Sequence, residues 1–106
     1  MQREPAPIGK LVVVGLGLIG SSLALAARQR GLAGEVIGVS RRSSTLDLAL
    51  QQGVIDRVAS SLTALAAELQ RGDVVVIGVP TLTVPAVLDE CAAQLDSAVT
   101  ITDVAS

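Results

Sequence analysis

Phenylalanine, tyrosine, tryptophan and histidine are all absent from this 106-residue chain, and each absence narrows what the protein can do. Without aromatic rings there is no platform on which single-stranded nucleic acid could stack its bases. A core has to be assembled from Val, Leu, Ile and Ala. Histidine is the commonest side chain for proton transfer near neutral pH, so a chain without it is poorly equipped for acid–base chemistry on a substrate. The single cysteine, Cys91, excludes an internal disulfide and a zinc site; it fits a reducing compartment and reads as a small buried hydrophobe. Charge is scarce as well, at 17% of residues with a net of −2, which leaves no basic field to attract nucleic acid. No apolar run approaches the ~20 residues that a membrane-spanning helix needs. The opening MQREPAPIGK lacks the apolar segment of a secretion signal, so a soluble, cytoplasmic protein that meets neither membrane nor nucleic acid is expected.

What is present is aliphatic. Half the residues are apolar, enough for one domain that buries somewhat over ~60% of its unfolded surface. Residues 1–9 read as a leader and residues 10–106 as one unit without repeat, low-complexity tract or linker. KLVVVG, EVIGVS and DVVVIGVP are near-continuous apolar runs of the kind buried on both faces of a sheet. DRVAS is a weaker short strand, and AVTITDV is the last. Between them lie four helical stretches: LIGSSLALAARQRG, stopped by Gly31; SSTLDLALQQG, capped by Ser43 or Ser44 and stopped by Gly53; SLTALAAELQRG, with Leu62, Leu65, Ala66 and Leu69 on one stripe; and TVPAVLDECAAQL, with Pro85 tolerated in the first turn. Strands alternating with helices predict an α/β fold of Rossmann type, a doubly wound parallel sheet of five strands and four helices in the order 3-2-1-4-5.

The turn after the first strand, GLGLIG from Gly15 to Gly20, fits G-x-G-x-x-G in the context that the physics requires: strand, tight turn, helix, second strand. Gly15 allows the turn, Gly17 lets a pyrophosphate approach the backbone, and Gly20 lets helix and strand pack closely. Amide groups at the helix start would hold the phosphates. The same stretch is one residue away from a mononucleotide P-loop, but Ser21 stands where that motif needs lysine, which disfavours nucleotide hydrolysis.

In NAD-binding domains an acid about 20 residues beyond the glycines accepts the ribose 2′-hydroxyl. Here that position is Ser40, followed by Arg41 and Arg42. Glu35 is the nearest acid but opens the strand, at the end remote from a ligand, and reads as a solvated charge. A carboxylate at Ser40 would repel a 2′-phosphate, whereas serine and arginine donate hydrogen bonds to it. Each such bond contributes roughly 1.5–3 kcal/mol, about tenfold or more in favour of NADP over NAD. Ser43, Ser44 and Thr45 add hydroxyls nearby.

With these motifs placed, VVVGLGLIGSSLA, GVSRRSST, the GVP after the fourth strand and the terminal TDVAS give a chain that resembles the amino-terminal, NADP-binding domain of prephenate and arogenate dehydrogenases of tyrosine biosynthesis. It looks most like the cyanobacterial-type arogenate enzymes. Members of that family pass hydride from a cyclohexadienyl substrate to nicotinamide with loss of carbon dioxide. The resemblance implies that Gly15, Gly17, Leu18, Ile19 and Gly20 cradle the pyrophosphate and that Ser40, Arg41, Arg42 and Thr45 surround the adenosine ribose. It further implies that Val79 and Pro80 line the cofactor path, and that Ser106 is the serine of an Asp-x-x-Ser motif near nicotinamide and substrate. The family's catalytic histidine follows that serine, and its helical dimerisation domain follows later. By this resemblance the chain is expected to be a fragment or an isolated cofactor domain, inactive alone, of an enzyme that is a homodimer at full length. Two other readings remain open here: the cofactor domain of another NADP-dependent reductase, of pyrroline-carboxylate or hydroxyacid type, and a nucleotide-sensing domain without chemistry. Among the remaining acids, Asp73 reads as solvated or capping and Asp103 as an organising residue beside the cleft. Glu68, Asp89 and Glu90 fall on exposed helical faces and are given no role.

Overall fold

The computed structural model describes residues 6–79 and 83–104. In chain order its elements are β1 (Ile8–Val14), α1 (Leu18–Gln29), β2 (Ala33–Val39), α2 (Ser43–Gln51), β3 (Arg57–Ala59), α3 (Leu62–Leu65), β4 (Val74–Ile77), α4 (Val84–Gln94) and β5 (Thr100–Asp103). The five strands form one parallel sheet in the order β3-β2-β1-β4-β5, the predicted doubly wound arrangement. β1 starts two residues earlier than Lys10 because Ile8 pairs with Ala33, and the Gly9 amide donates to the Gly72 carbonyl at 2.9 Å.

Alternation along the strands sorts the core into two layers. Val12, Val14, Ile37, Val39, Val75 and Ile77 point to one face, where Leu62, Leu65, Leu69, Val84 and Cys91 cover them. Leu11, Val13, Val36 and Val76 point to the other, under Ala24 and Ala27 of α1 and Leu46 and Ala49 of α2. Val12, Val13, Val36, Ile37, Val75 and Ile77 are almost wholly shielded from solvent, and each such aliphatic side chain contributes about 1.5–3 kcal/mol by leaving water. Small alanines on α1 allow close approach, and the absence of aromatics costs the core nothing in continuity.

Two local expectations need correction. The third helix is four residues long rather than twelve: Ser61 Oγ caps it by accepting from the Ala64 amide at 3.2 Å, but the chain then tightens into i−3 bonds, Ala66 to Thr63 and Glu68 to Leu65. Leu62, Leu65 and Leu69 of the expected stripe are buried all the same. Neither Ser43 nor Ser44 caps α2, whose cap position is Arg42 with no side-chain bond. Ser40 Oγ accepts from the Arg42 amide at 3.2 Å, and this turn leaves Arg42 extended at the helix start. β5 is exposed along all four residues, unlike the buried strands, because it is an edge strand paired only to β4.

Glu35 is not a solvated charge either. It pairs with Arg57 at 2.9 Å, and the same guanidinium binds Glu68. The bonds to Glu68 and then Glu35 push the Arg57 pKa up, and the Arg57 bond holds the Glu68 carboxyl below the usual carboxylate range. Asp73 is buried, at 3% exposure, and acts as a cap: one oxygen accepts from the Lys10 amide at 2.8 Å and the other from the Gln70 amide at 2.9 Å. No helix among the described residues is long and apolar enough to cross a membrane.

Candidate nucleotide-binding cleft

Parallel order reverses between β2 and β4, on either side of β1, and a crevice opens at the carboxyl ends of the strands there. The chain turns sharply at its floor. Gly15 has φ +89°, and a Cβ on it would come within 2.9 Å of the Gly78 carbonyl and the Val79 side chain, so no other residue fits. The Gly15 amide donates to the Val39 carbonyl at 2.8 Å and the Gly78 amide to the Val14 carbonyl at 2.7 Å, which ties the turn to both neighbouring strands. A Cβ on Gly20 would run into the Gly15 carbonyl oxygen. Gly17 differs: a Cβ there would meet nothing within 4 Å, so its small size keeps space open above the backbone. Gly17 is also the cap of α1 and no side chain bonds the helix start. That leaves the first-turn amides available to an anion, with the helix dipole in its favour.

The crevice measures about 880 Å³, the size of a substantial small-molecule site. Gly15, Gly17, Leu18 and Ile19 line it from the turn, Ser40, Arg41, Arg42 and Thr45 from beyond β2, and Val79 from beyond β4. Nine of the sequence-predicted residues thus converge. Gly20 packs beneath the turn instead of lining the space, while Pro80 and Ser106 lie outside the described residues. Arg41 and Arg42 are exposed and have no ion-pair partner among the described residues, whereas Arg28 and Arg57 are each held by carboxylates. Asp103 ends β5 directly before Val104, which lines the crevice.

Sequence reasoning missed two contributions to this space. Ser60, Ser61 and Leu62, after β3, form part of the wall, as do Thr83, Val87 and Glu90 of the α4 side. Thr83, Val87 and Glu90 recur at spacings of four and three, one helical stripe; the sequence pattern places Glu90 on an exposed face, whereas the structure makes it half-buried. A smaller, polar cavity of about 420 Å³ sits at the opposite end of the sheet between Arg28, Gln29, Ala33, Gly34 and Asp56. Its charges are already used: Arg28 Nε donates to Asp56 at 2.6 Å, and Asp56 also accepts from the Val36 amide at 2.8 Å.

A parallel doubly wound sheet with a glycine turn and an open helix start at its switch point defines a nucleotide-binding domain of the dehydrogenase class. Residues 23–106 match the family model for the prephenate dehydrogenase nucleotide-binding domain, and the chain belongs to that family. It is 33% identical over 98 residues to a prephenate dehydrogenase of Lactococcus lactis, covering 92% of this chain and 26% of that protein. Among solved structures it is similar to Synechocystis arogenate dehydrogenase, at 36% identity and TM-score 0.78 over 92% of this chain and 33% of that one. It is also similar to the Aquifex aeolicus prephenate dehydrogenase in complex with hydroxyphenyl propionate and NAD+, at 25% identity and TM-score 0.83 over 97% of this chain and 35% of that one. The chain therefore spans about a quarter to a third of these relatives. Neither alternative left open by the sequence, another reductase or a sensing domain, is favoured by these matches.

Proposed function

We propose that this domain binds NADP in preference to NAD and serves as the cofactor half of an oxidative decarboxylation of arogenate or prephenate. The observation that carries the reading is the end of β2, where Ser40, Arg41 and Arg42 line the crevice and no carboxylate stands in the place of the ribose-binding acid. The residues suit a dinucleotide: the Gly17 opening and uncapped α1 amides take the pyrophosphate, Leu18 and Ile19 flank it, and Gly20 keeps the helix close enough to present it. Arg41 and Arg42 supply forks for the 2′-phosphate, and the Ser40 and Thr45 hydroxyls border the ribose. Val79 lines the crevice, and it and Pro80 are assigned to the cofactor path. Once bound, the dinucleotide supplies the nicotinamide that accepts hydride. This chain's part is to orient that ring and shield one side of it; with no histidine in the sequence, proton transfer falls to a group from elsewhere in the enzyme. Ser106 is assigned the motif serine's place by nicotinamide and substrate. A cytoplasmic homodimer completes the proposal for the whole enzyme.

Titration with both cofactors tests the reading. NADP is expected to bind at least about tenfold more tightly than NAD. Combining Ser40→Asp with Arg41→Ala and Arg42→Ala should move the preference toward NAD, and tighter binding of NAD by the unaltered chain would overturn the proposal.

A further inference from the structure

Glu90 is the one carboxylate among the described residues that line the crevice. It is half-buried on the same stripe of the α4 side as Thr83 and Val87, and forms no hydrogen bond or ion pair among the described residues. A carboxylate beside a site for a polyanion opposes binding unless it meets a donor, because ionised it can only accept hydrogen bonds. The other walls of the crevice narrow the choice of donor. Val39, Leu62, Val79 and Val87 line the same space and make an aliphatic slot suited to a flat heterocycle. The glycine turn and Ser40 take up the pyrophosphate and ribose positions. The part of a dinucleotide that extends past its adenosine ribose, away from the phosphates, is the base, and the base carries one strong donor, the exocyclic amine of adenine.

We propose that Glu90 reads the adenine edge of the cofactor, accepting a hydrogen bond from the exocyclic amine while the aliphatic slot holds the ring faces. This assignment rests on the dinucleotide reading above. It makes Glu90 a specificity residue for the base. Hypoxanthine carries a carbonyl oxygen where adenine carries the amine, so the same carboxylate faces an acceptor and the deaminated cofactor is rejected.

Calorimetric titration of the full chain with NADP and with its hypoxanthine analogue tests this, alongside Glu90→Gln, which is isosteric and can both donate and accept. The unaltered chain is expected to prefer the adenine cofactor by about tenfold or more, and E90Q to bring the two within about threefold while leaving the NADP to NAD ratio as it was. Equal binding of both bases by the unaltered chain would overturn the assignment, as would an E90Q chain whose base preference is unchanged. A shift in the NADP to NAD ratio with base preference intact would place the carboxylate against the 2′-phosphate and likewise overturn it. If neither adenine nor hypoxanthine dinucleotide binds a chain whose circular dichroism is native, the dinucleotide reading itself falls, and this assignment with it.

Discussion

At Asp73 and Asp56 a charged side chain does structural work that its sequence neighbourhood conceals. Asp73 looks like an acid at a turn, yet its two oxygens hold the amides of Lys10 and Gln70, 63 and 3 residues away, and so pin the start of β1 to the loop that enters β4. Asp56 fastens the end of α1 to β2 and β3 by taking the Arg28 guanidinium and the Val36 amide together. Burial alone would push its carboxyl up, but the Val36 and Arg28 contacts outweigh that and leave it below the ordinary value of 3.8. A depressed folded pKa means that the stabilisation is complete above the unfolded value and is lost as pH falls through the folded one. Thermal unfolding followed from pH 6 to pH 2 should therefore show Asp56→Asn losing less stability on acidification than the unaltered chain. At neutral pH the same substitution should cost about 1 kcal/mol or less, since the pair is partly solvated.

The element that decides the site is the turn from β1 into α1, where two glycines of one motif have opposite surroundings. Gly20 abuts the Gly15 carbonyl, whereas Gly17 faces open space with φ −73°, a conformation any residue adopts. Gly20→Ala is expected to force the helix off the strand and destabilise the domain by about 1–3 kcal/mol. Gly17→Ala should leave stability within about 0.5 kcal/mol yet weaken dinucleotide binding by at least about tenfold, because the methyl group intrudes on the open space that the proposed pyrophosphate site needs. Denaturant melts of both variants, each paired with a cofactor titration, separate the two roles. Strand alternation and the glycine motif made this element legible in the sequence. The third helix was not: its leucine stripe is satisfied by four helical residues and a tightened turn, since Glu68 is drawn to Arg57 and the chain must reach Asp73. Periodicity reports which residues are buried and is silent on whether the backbone between them stays helical.

For the molecule as a whole, binding and stability are linked. A ligand that binds only the folded state stabilises it by about 2.7 kcal/mol at a hundred times its dissociation constant, so NADP should raise the melting temperature of this domain by several degrees or more. NAD at the same concentration should raise it less. A thermal shift of equal size for the two cofactors at subsaturating concentration would argue against discrimination at Ser40, Arg41 and Arg42. The sheet order matters to this linkage, because the crevice is lined from the carboxyl ends of neighbouring strands, β1, β2 and β4 among them, and unfolding of any one of these dismantles it.

By itself the sequence determined the alternation of strands and helices, the parallel order of the sheet, the glycine turn and the basic end of β2. These are local patterns: apolar runs, spacing and turn residues within a few positions of one another. Only the tertiary structure decided which charges are structural and which face the crevice. Glu35 and Glu68 became partners of Arg57, Asp73 became a buried cap, and Glu90 moved from a presumed outer face to the wall of the crevice. The reason is geometric. A helix facing both a core and a crevice has more than two kinds of side, and a period of 3.6 residues separates apolar from polar without saying whether the polar side meets bulk water or a site.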